Sequence, residues 1–127
     1  MNTINVKPFE ILNRWQKHLN EKNLSGVLNL YNINCVLIPT FSSDILTDHE
    51  QIKEYFVQVI EVLKGEVECQ PNAISEQQVG ENMYLLSGKY FFQLMGKEKI
   101  PARLSFLVNP MSENPIIHHH SSRIISN

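Results

Sequence analysis

The sequence predicts an α+β fold, with three N-terminal helices packed on a curved, mainly antiparallel sheet. Two observations carry this. Apolar residues recur at helical spacing up to Leu63, broken by one β-branched run, whereas after Gly65 the chain turns into extended stretches punctuated by Gly, Pro and Asn. Two helices, a strand, a helix and then strands in series place helices against one face of a single sheet.

The first helix begins at Pro8, whose missing N–H suits a first turn, and Phe9, Leu12, Trp15 and Leu19 form its apolar stripe. Leu24, Val27, Leu28 and Tyr31 form the stripe of a second, shorter helix. "YNIN" then breaks the pattern before the first strand, "CVLIP". In "TDHE", Thr47 and Glu50 have the spacing of a capping box, and Ile52, Tyr55, Phe56, Val59, Ile60 and Leu63 continue as a third helix that Gly65 is expected to end. Four strands follow, in "EVECQPNAIS", "NMYLLSGKYFFQLM", "IPARLSFLV" and "PIIHHHSSRII". "GENMY" and "MGKEK" read as hairpin turns and "NPMSENP" as a longer one.

At 127 residues the chain is expected to form one domain, 1–127. The net charge of -2, with Lys and Arg scattered, offers no basic stripe for nucleic acid or an anionic membrane. No apolar run approaches the roughly 20 residues of a bilayer span. "MNTINVKPFE" lacks a basic-then-apolar leader, so a cytoplasmic protein with reduced Cys35 and Cys69 is expected, and neither cysteine has metal-ligand spacing.

The segment "VLNLYNINCVLIPTFSSDILTDHEQIKEYF", together with "ARLSFLV" and "IIHHHSSRI" as the last two strands, resembles the NTF2-like superfamily. That superfamily includes SnoaL-like proteins, ketosteroid isomerases and the association (hub) domain of calcium/calmodulin-dependent protein kinase II; bacterial relatives of the hub domain are the nearest likeness. The tryptophan often seen before the aliphatic pair is absent, and Pro115 stands nearby. The resemblance implies a cone-shaped fold, but the fold alone does not fix an activity.

Alternation separates the three histidines: His118 and His120 share one face, and His119 lies with Ile117, Ser121 and Arg123 on the other. They cannot form one tripod, so no metal and no cofactor is expected. By the resemblance, hub domains carry a pocket arginine where Ser121 stands and others on the two preceding strands. Arg103 with Ser105 keeps part of that set, Tyr90 replaces another member, and Arg123 is two residues displaced. Arg103 on an apolar strand calls for a partner, either a carboxylate ligand or an internal Glu10, Glu50 or Glu54. Trp15, Tyr31, Tyr55 and Tyr90 are candidate core residues, and a cone of aromatic walls also suits a small molecule.

The resulting expectation is a homodimer that binds a small polar, carboxylate-bearing molecule through Arg103, His119, Tyr90, Ser105, Ser121, Arg123, Tyr55 and Trp15. The alternative is an isomerase, dehydratase or cyclase using His119 and Tyr90 as base and donor. Ketosteroid isomerase sets an Asp base opposite Tyr and protonated Asp donors; here the aspartates, Asp44 and Asp48, both stand in the loop-to-helix region.

Overall fold

A computed structural model describes residues 6–125. Helix α1 (Pro8–Asn20) and helix α2 (Leu24–Leu30) lead into β1 (Tyr31–Ile38), and α3 (His49–Phe56) runs on into a π-helical segment, Val57–Val62. Strands β2 (Glu66–Gly80), β3 (Met83–Gln93), β4 (Ile100–Val108) and β5 (Ile116–Arg123) complete a five-stranded sheet in the order β1-β5-β4-β3-β2. The strands from β2 to β5 pair antiparallel, and β1 joins the edge parallel to β5. The expected α+β cone is therefore present.

Several local expectations shift. Tyr31 and "NIN" belong to β1 rather than to the end of α2, because Tyr31 is already extended and pairs with Ile116. The cap of α3 moves one residue along: Asp48 accepts from Gln51 N at 2.9 Å, and the Gln51 side chain returns to Thr47 N. At the far end Lys64, not Gly65, takes the left-handed conformation (φ 52°). Gly65 is needed for closeness, since a Cβ there would lie 3.0 Å from Val59 Cγ1.

The core sits between the helices and the concave face of the sheet. From α1 come Ile11, Leu12, Trp15 and Leu19, from β1 Cys35 and Leu37, and from β4 Ala102, Leu104, Phe106 and Val108. In β2, Cys69 pairs with Tyr90 but Ile74 with Gly88, so the chain bulges around Pro71 and the sheet bends. Helix α1 also protects the start of that edge strand. Asn20 exchanges two 2.8 Å bonds with Val67 N and O, as a neighbouring strand would, and Gln16 accepts from Cys69 N.

Candidate functional site

The bend leaves a cavity between the concave face, α1, α3 and the segment after β1. Its walls are mostly apolar, with Leu19, Leu37, Phe56, Val67, Phe92 and Leu94 prominent. The cavity volume is about 30 Å³, room for a water or two, so the walls must move apart to seat an organic molecule.

Which side chains enter the cavity is decided on β5. Val108 pairs with Ile116 but Leu107 with His118, so Ile117 is an extra residue that resets the alternation. Ile116, His119 and Ser121 thereby all face the core. Ile116 takes the inward place that simple alternation gives to Ile117.

His119 has partners on both ring nitrogens: Nδ1 lies 2.8 Å from Tyr31 Oη and Nε2 lies 2.5 Å from Ser121 Oγ. Tyr31 Oη in turn accepts from Trp15 Nε1 at 3.1 Å. An indole N–H only donates, so the Tyr31 hydroxyl is left to donate to His119 Nδ1. The opposite assignment would strand a buried O–H, at a cost of roughly 1–3 kcal/mol. Nε2 therefore carries the His119 proton and donates to Ser121. The Tyr90 hydroxyl, on the same cavity wall as Ser121, lies 3.4 Å from Thr40 Oγ1.

Burial lowers the His119 pKa well below the usual histidine value, and His118 and His120 add to the effect. Burial raises Tyr31 and Tyr90, and it pushes the Cys35 thiol up to about 12. The imidazole is thus neutral, engaged on both sides and unsuited to act as a free base. Edge contacts with Trp15 at 5.6 Å and Phe106 at 4.2 Å fix its ring. Tyr55 is partly buried at the wall, close to the backbone of Phe41 and Thr40, and desolvation raises its pKa. Phe41 stands edge-on to Phe92 at 4.5 Å and closes one side of the mouth.

Of the residues expected at the site, Trp15, Tyr55, Tyr90, His119 and Ser121 meet at this cavity. Arg103 and Ser105 do not. Ala102, Leu104 and Phe106 take the inner face of β4, so the residues between them point outward, and Arg103 is exposed opposite Lys89. Arg123 is paired with Ala102 at the strand end and is also exposed, beyond the cavity. Its place on the inner row follows from alternation, but the cavity stops short of it. Sequence reasoning missed the roles of Tyr31 and Thr40. A tyrosine at the start of β1, facing the same interior as His119, was the available signal for the first, and the turn after Pro39 for the second. Among the described residues no cluster of His, Cys, Asp and Glu has metal-binding geometry, and no helix is long and apolar enough to cross a membrane.

This cone is the NTF2-like fold. It is similar to a Xanthomonas campestris protein described as a calcium/calmodulin dependent protein kinase II association domain, with 26% identity, a TM-score of 0.81, and coverage of 94% of this chain and 86% of that one. An NTF-2 like protein of unknown function from Shewanella oneidensis shares the fold at 14% identity and a TM-score of 0.72, with 90% and 94% covered. The epoxide hydrolase/cyclase-like enzyme SalBIII, which acts in pyran ring formation in the polyether salinomycin, does so at 16% and 0.74, with 92% and 90% covered. No protein-family profile and no curated protein sequence matches the chain.

Proposed function

We propose that this NTF2-like protein binds a small, predominantly apolar molecule in its cone and self-associates through the outer face of its sheet. The observation that carries the binding reading is the pair of polar contacts, His119 with Ser121 and Tyr90 with Thr40, at the wall of a mostly apolar cavity. A few fixed polar groups among apolar walls are what orients a ligand. The carboxylate expected from sequence loses its basis, because Arg103 faces outward. The catalytic alternative is weakened because both nitrogens of His119 are engaged within the fold. Ligand-observed NMR with a library of small apolar fragments tests the reading. Hits on the wild type should disappear in Leu94→Trp, which fills the mouth, whereas hits that survive that substitution would show binding elsewhere.

Association is supported by the convex face, where Val36, Ile38, Leu85, Phe91 and Leu107 are all half-buried in the isolated chain, with His118 beside them. A homodimer would cover them. Leu107→Glu should then yield monomers in sedimentation at micromolar concentration, and a monomeric wild type would contradict the reading. Both thiols are free, with Cys35 buried, which fits a reducing cytoplasm.

A further inference from the structure

We infer that the cone selects an uncharged ligand bearing one hydrogen-bond acceptor, such as a ketone or ester on a slim apolar frame, and disfavours carboxylates. This rests on the binding reading above and narrows it to a ligand class.

The inference follows from the direction of the hydrogen bonds. Trp15 can only donate, which orients Tyr31 toward His119 Nδ1 and leaves His119 Nε2–H to donate to Ser121. The hydroxyls of Ser121, Tyr90 and Thr40 then carry three protons, and the contact between Tyr90 and Thr40 uses one of them. At least one donor therefore remains, and all three hydroxyls stand at the cavity wall. An acceptor on the ligand completes it.

Charge works against an anion. Glu66 is the one acidic or basic residue, histidine aside, at the cavity wall among the described residues, and Lys22 lies 3.9 Å from its carboxylate. His119 is neutral and commits its one proton to Ser121. A carboxylate entering the cone would lose its hydration and find neutral donors with no guanidinium or ammonium beside them. A neutral carbonyl loses far less on the same path.

The test uses three probes of similar shape, acetophenone, ethylbenzene and benzoate, titrated by calorimetry into the wild type and into Leu94→Trp, which fills the mouth. On the wild type acetophenone should bind about tenfold more tightly than ethylbenzene, the effect of one hydrogen bond, and benzoate should show no measurable binding. Binding of acetophenone and ethylbenzene should both be lost in Leu94→Trp. Benzoate or ethylbenzene binding as tightly as acetophenone would overturn the selectivity while leaving the cavity a binding site. Failure of all three probes on the wild type, or binding that survives in Leu94→Trp, would overturn both readings.

Discussion

His119 owes its neutral state to its surroundings. It is buried against Trp15, Tyr31 and Phe106 with hydroxyl partners on both nitrogens, no described carboxylate bonds it, and His118 and His120 flank it on the strand. Its folded pKa lies below the unfolded value of about 6.5, so the unfolded chain binds the extra proton first. The contribution of this group to stability is complete above about pH 6.5 and is lost as pH falls toward the folded pKa, at up to about 1.4 kcal/mol per pH unit. Denaturant unfolding between pH 7 and pH 5 should show this slope in the wild type and a shallower one in His119→Gln. Parallel profiles would assign the acid sensitivity elsewhere. At this scale much of the cavity was legible: alternation alone puts His119 with Ser121, and aromatic content marks Trp15, Tyr55 and Tyr90. Arg103 was misplaced because likeness to hub arginines outweighed the pattern of β4, in which Ala102, Leu104, Phe106 and Val108 already claim the inner face.

Elements were easier to find than their irregularities. The apolar stripes of α1 and α3 and the turns at Asn82 and Gly96, both at positive φ, follow directly from residue type. The breaks in strand register and the π-helical segment do not, because each depends on which partner strand or wall the chain meets. The bulge around Pro71 in β2 is a case in point. It presses on Gly88, where an added Cβ would lie 2.7 Å from Ile74 Cγ1 and 3.2 Å from the Ala73 carbonyl oxygen. Gly88→Ala should therefore lower stability by roughly 1–3 kcal/mol, as overpacking does, with no change in the hydrogen-bonding groups of the cavity. An unchanged denaturation midpoint would mean that the bulge yields freely and does not set the bend.

For the whole molecule, the sheet divides the work between its faces. The concave side, covered by α1 and α3, encloses the cavity and its oriented hydroxyls; the convex side carries Arg103, Ser105, His120 and the half-buried apolar set proposed for self-association. The class and architecture were readable from the order of the elements. Which of Ile116 and Ile117 faces inward needed the register of β5, where Ile117 resets the alternation. The most direct test of the central claim is mapping of acetophenone-induced NMR shifts onto the assigned protein. The account predicts that the largest changes fall on the Trp15 indole, His119, Ser121, Tyr90 and Phe92, with Arg103 and His120 unmoved. Shifts concentrated on Arg103, Ser105 and His120, with the Trp15 indole unmoved, would contradict it.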